Sequence, residues 1–223
     1  MARSLRRMAG TNGRVPGPPG RRPSRRAIAL AAGIGALVIA GGVIGGVVAT
    51  RESAPSALPG LLTGPAPWGP NTSELRARLD ALGLPALPAE AFVLHIHQHL
   101  DVFVDGKRVT VPANIGINFE ERFLSPLHTH DASGIVHVES PTVRTFTLGE
   151  FFGVWGVRFT PMCLGGYCAS GRKRLRVFVN GAPVPGDPGK LPLAEHQEIV
   201  VAYGTRAELP QPLPSSYRFP AGL

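Results

Sequence analysis

The 223 residues suffice for one domain of ordinary size with appendages, and the formal net charge is +8. Eight of the 23 Lys and Arg residues fall within residues 1–26, which hold no acidic side chain, so the rest of the chain carries 15 basic against 15 acidic groups. The excess belongs to one tail and argues against nucleic acid as a partner, and the sequence has neither a phosphate-binding glycine loop nor a Ser-His-Asp signature.

Residues 1–26 read as a basic cytoplasmic tail. Residues 27–50 form an uninterrupted run of Ala, Gly, Ile, Leu and Val ending in Thr50. About 23 residues rising ~1.5 Å each span ~35 Å, enough to cross a hydrocarbon core. The basic flank precedes the run, which predicts a single-pass membrane anchor with the N-terminus cytoplasmic and the remainder extracytoplasmic. The competing reading is a cleaved export signal, because Ser24-Arg25-Arg26 resembles the twin-arginine pattern. The length of the run and the absence of an A-x-A site favour the anchor, and both readings export the same domain.

Residues 51–71 are rich in Pro, Gly, Ala and Ser and read as a tether. A domain is expected over 72–206, opening with a short helix that Thr72 or Ser73 caps and Gly83 ends. Leu75, Leu79 and Leu82 form its apolar stripe, while Glu74, Arg76, Arg78 and Asp80 read as a solvated face.

The stretch 92–104, FVLHIHQHLDVFV, has a strand pattern: even positions are apolar apart from Gln98, and odd positions carry His95, His97, His99 and Asp101. Asp105-Gly106 predicts a hairpin into 108–111. Residues 112–123 are loop-like, with an apolar-rich segment around Ile115 and Ile117. A second hairpin is expected in which 127–130 and 135–139 flank a four-residue loop. Symmetric closure would set position 128 opposite 137 and 130 opposite 135, and would gather His128, His130, His137 and Glu139 on one face. Thr147 and Glu150 have capping-box spacing and predict a helix over 148–155 that packs Leu148, Phe151, Phe152 and Trp155 on the sheet. Strands are predicted at 175–179 and 198–203, the first followed by an Asn180-Gly181 turn, and DVFVDGKRV and RVFVNGAPV read as two similar hairpins. His196 reads as a surface histidine. Residues 207–223 carry four prolines and are expected to be an irregular tail.

Cys163 and Cys168 enclose four residues and, outside the cytoplasm, predict a disulfide closing a small loop. The alternative is a dithiol that binds copper with Met162 and a histidine.

Six of the seven histidines lie within 43 residues, and five of those six are in H-x-H spacings. Imidazole is a neutral ligand for borderline metals, and two on one strand plus a third from a neighbour suit zinc or copper. His95, His97 and His99 span about 13 Å at ~3.3 Å per residue, too far for one tetrahedral ion to take all three. The expected ligands are therefore two adjacent members of that ladder with one or two of His128, His130 and His137. Asp101, Asp131 and Glu139 are expected to orient the rings through their other nitrogen.

The segments HIHQHLDVFVDGKRVTVPANIGI, LHTHDASGIVHVESP and FTLGEFFGVWG resemble a group of bacterial single-pass, membrane-anchored, His-rich extracytoplasmic proteins over about residues 92–204. That group has no established activity to carry over. H-x-H on a strand is also faintly similar to cupins, but the cupin glycine spacing is absent and Glu139 lies nine residues after His130.

Together these readings predict a mainly β (α+β) fold, one compact and mostly antiparallel β-domain with small helices on an N-terminal transmembrane helix. The leading function is binding of copper or zinc through the histidines, for acquisition, buffering or delivery. Two alternatives stand beside it: a metalloenzyme using Glu139 or Asp131 as general base, and an interaction module with structural histidines. The partners implied are the membrane through 27–50 and an extracytoplasmic metalloprotein or other cell-envelope component. No motif identifies a small-molecule substrate.

Overall fold

The computed structural model describes residues 57–223; the basic tail, the expected anchor at 27–50 and the start of the tether lie outside the described residues. In chain order the elements are α1 (Leu75–Leu82), β1 (Leu94–Val104), β2 (Lys107–Val109), β3 (Ile117–Asn118), β4 (Phe123–Leu124), β5 (Leu127–His128) and β6 (Ile135–Ser140). They continue with α2 (Leu148–Trp155), β7 (Cys163–Leu164), β8 (Tyr167–Cys168), β9 (Arg174–Val179), β10 (Ala182–Pro183) and β11 (Glu198–Gly204). The domain is mainly β with two short helices, and among the described residues no helix is long and apolar enough to cross a membrane.

The main sheet has the order β10-β9-β11-β1-β6-β5, with β2 also on β1. All its pairs are antiparallel except the central one, in which β11 runs parallel to β1. Alternation along β1 then works as the pattern predicts: Leu100, Val102 and Val104 enter the core with Val136, Val138, Ile199 and Val201. Gln98 is buried on that same face, whereas Phe92 precedes the strand and is exposed. The two similar hairpins turn at Asp105-Gly106 and Asn180-Gly181, whose four φ angles are all positive, as a two-residue turn of the primed type requires. Gly134 is the one residue type its position admits. Its φ is +94°, and a Cβ there would lie 2.7 Å from the Leu100 carbonyl oxygen of β1.

The α2 capping box forms as predicted: the Glu150 N–H donates to Thr147 Oγ1 and the Thr147 N–H to Glu150 Oε2. The helix buries Leu148, Phe151, Phe152, Val154 and Trp155. Cys163 and Cys168 are joined as a disulfide across the β7–β8 hairpin, so their sulfurs are not a dithiol site.

Three sequence expectations are corrected. Residues 57–71 are not a free tether: the Leu62 N–H donates to the Gly156 carbonyl (2.7 Å), and Trp68 is buried edge-on to Trp155 at 6.0 Å. Proline and glycine exclude regular structure there without preventing an indole from burying its area. The C-terminal segment has no regular structure beyond a turn at Arg206–Glu208, as expected, yet it packs Tyr217 flat on His99 at 3.7 Å.

The third correction is Arg78, expected on a solvated face and in fact fully buried. Neither Thr72 nor Ser73 caps α1 with a side chain; instead the Arg78 guanidinium donates to the carbonyls of Asn71 and Ser73, the latter at 2.7 Å. Burial draws its pKa below the ordinary arginine value, an effect the nearby Glu74 charge opposes. Arg78 thereby ties the segment before α1 to the helix itself. Arg78→Ala should lower unfolding stability by about 3 kcal/mol, since it leaves buried carbonyls unpaired and opens a cavity. Urea denaturation measures this, and an unchanged midpoint would exclude the role.

Candidate metal centre

Strand β6 lies between β1 and β5, and its register builds the site. His97 is directly opposite His137, His95 opposite Glu139, and on the other side His128 opposite His137. The 128–137 pairing is the one the sequence predicts. The predicted 130–135 pairing does not form, because β5 ends at His128, but the His130 ring still reaches the cluster with its centroid 4.4 Å from that of His137. Five histidines and one carboxylate thus converge on the face opposite the core.

Within the cluster the Nε2 atoms of His95 and His97 are 3.1 Å apart, and those of His128 and His130 are 3.2 Å apart. Glu139 lies among them: Oε1 is 3.2 Å from His137 Nδ1 and 3.3 Å from His95 Nε2, and Oε2 is 3.8 Å from His128 Nε2. Expected only to orient a ring, Glu139 stands at ligand range itself. The groups His95, His97, His137, Glu139 and His128, His130, His137, Glu139 each have ligand atoms within 4.8 Å of one another, close enough to hold a metal ion. His97, His128, His137 and Glu139 are buried, while His95 and His130 open to solvent.

The electrostatics favour neutral rings at His97 and His128. Burial, then the charges of His137 and His95, push His97 down to about 4; burial pushes His128 down to about 4 against the attraction of Glu139. Burial alone would raise the Glu139 carboxyl. The hydrogen bond from His137 and the neighbouring imidazoles outweigh it and hold the group below its ordinary range. At His97, His128 and Glu139 the site therefore presents unprotonated imidazoles and an ionised carboxylate near neutral pH, the forms that metals bind.

His99 and Asp101 do not join this cluster. His99 Nδ1 is 2.7 Å from Glu198 Oε2, and Nε2 is 3.0 Å from the Ser133 carbonyl oxygen. Asp101 accepts a hydrogen bond from Arg108 and stands 4.0 Å from His99. These two with Glu198 form a separate buried trio. Asp131, expected beside the rings, accepts from the Ser133 N–H at 2.8 Å, and the Ser133 hydroxyl and N–H hold its pKa below the usual range. Sequence reasoning missed Glu198 and Glu90, the latter 3.4 Å from His130. Glu198 heads β11, which is buried along its whole length, and only the parallel register of β11 on β1 sets it opposite His99. His196 is exposed, as expected. An open cleft of about 480 Å³ lies elsewhere, along β9 by Leu175, Val177, Pro183, Val184 and Leu209, with none of the histidines in its walls.

No family model, curated protein or solved structure matches this chain.

The lowered values of His97 and His128 set a pH dependence for the metal-free chain. Unfolded imidazoles take up protons below about pH 6.5, which the folded chain refuses until about pH 4. Stability is therefore complete above pH 6.5 and falls as the pH drops toward 4, by up to about 3 kcal/mol for each of the two. Urea midpoints in the presence of chelator should decrease from pH 7.5 to 5, and a flat profile over that range would contradict this picture.

Proposed function

We propose that this protein is a membrane-tethered, extracytoplasmic binder of a transition metal, copper or zinc, serving acquisition, buffering or delivery. The observation that carries the reading is the convergence of His95, His97, His128, His130 and His137 on the buried carboxylate of Glu139. An imidazole-rich set with one carboxylate suits borderline ions such as zinc and copper and lacks the oxygen ligands that calcium or magnesium demand. Solvent access at His95 and His130 supplies an entry path, and buried His97, His128 and His137 supply a preorganised floor. The tether rests on the apolar run 27–50 and on the resemblance of the H-x-H segments to anchored extracytoplasmic proteins. A disulfide in the same domain agrees with an oxidising compartment.

Elemental analysis of the full-length chain, purified without chelator, tests the reading. Copper or zinc should be present at one equivalent or more, and the His97→Ala, His128→Ala double variant should lose most of it. Replacing Cys163 and Cys168 by Ser should leave the metal content unchanged. A metal-free wild-type chain that takes up neither ion on incubation would refute the proposal.

A further inference from the structure

The cluster is divided, and the division has a regular plan. One H-x-H pair, His95 and His97, comes from β1; a second, His128 and His130, comes from the end of β5. The strand between them contributes His137 and Glu139, the two residues common to both ligand groups. Two nitrogen ligands of one tetrahedral ion, each at about 2.0–2.1 Å, lie about 3.3 Å apart. The 3.1 Å separation within the first pair and the 3.2 Å within the second both match that spacing. So does the 3.3 Å between His95 Nε2 and Glu139 Oε1. Each pair is therefore set to chelate an ion of its own.

Glu139 links the two halves. Its Oε1 faces His95 and His137, and its Oε2 faces His128. Among the described residues Oε2 is buried without a hydrogen-bond partner, an arrangement that costs free energy unless a cation completes it. A carboxylate that presents one oxygen to each side bridges ions at the ~3.5–4 Å separation of two-metal sites. A single tetrahedral ion would use four of the six donors and leave one histidine pair idle.

Resting on the metal-binding reading above, we propose that the cluster is a dinuclear centre: His95 and His97 hold one ion, His128 and His130 the other, and Glu139 bridges them with His137 completing the set. The ions are borderline divalent cations. A single carboxylate leaves an excess of positive charge on two such ions, which water-derived hydroxide or another small anion offsets at the solvent-exposed edge formed by His95 and His130.

The test loads the full-length chain with Zn²⁺ alone, desalts it and counts metal per chain. Wild type should retain two ions, and H95A/H97A and H128A/H130A one each. Glu139→Gln should keep the first ion and bind the second at least tenfold more weakly. Loading with Cu²⁺ alone gives a readout that needs no variant: two bridged ions couple magnetically, so the isolated-copper resonance should account for well under the copper found by elemental analysis. One ion per wild-type chain, with both double variants metal-free, would overturn the dinuclear centre while leaving metal binding intact. Two uncoupled copper ions would overturn the bridge. A wild-type chain that binds neither metal would remove this proposal together with the reading on which it rests.

Discussion

The antiparallel register of β1 on β6 is the constraint on which the site depends. It sets His97 against His137 and His95 against Glu139, and the same strands turn Leu100, Val102, Val136 and Val138 into the core. Because side chains alternate with a period of two, a slip of one residue would send the imidazoles into the apolar layer and the aliphatic residues out. The hydrophobic face thus specifies the geometry of the polar one. Gly134 reinforces the register, since the absence of a Cβ lets the 131–134 turn close against β1 while its carbonyl accepts from the Leu100 N–H at 2.9 Å.

The parallel pairing of β11 divides the polar face into two chemistries. Glu198 stands opposite His99 and captures its Nδ1, the Ser133 carbonyl takes its Nε2, and Tyr217 covers the ring. With both nitrogens engaged, His99 is held as part of the scaffold between the sheet and the C-terminal segment. One strand of alternating histidines therefore serves two ends: His95 and His97 toward the cluster, His99 toward the packing of the chain terminus.

Electrostatic design within the cluster follows from numbers of groups. Several imidazoles share one carboxylate, so protonating the buried His97 or His128 ring meets both desolvation and the repulsion of its neighbours. Neutral His97 and His128 beside an ionised Glu139 favour a cation as the species that completes the site.

Local chemistry made much of this legible in the sequence: the β1 alternation, the two Asx-Gly turns, the α2 capping box, the disulfide and the 128–137 pairing each depend on residues close in the chain. The convergence of the two H-x-H pairs was also foreseeable, as histidines on one strand face and on one hairpin face. What required the tertiary structure were the long-range decisions. Glu139 at ligand range follows from its register against His95, and the removal of His99 from the cluster follows from β11, about a hundred residues away in sequence. Burial of Arg78 and Trp68 was equally invisible, because the carbonyls that accept Arg78 precede the helix and Trp68 itself lies in a segment whose composition signals only a loop. Periodicity reports which way a side chain points; which groups it meets there is decided by the pairing of distant strands and by the energy of leaving no buried polar group alone.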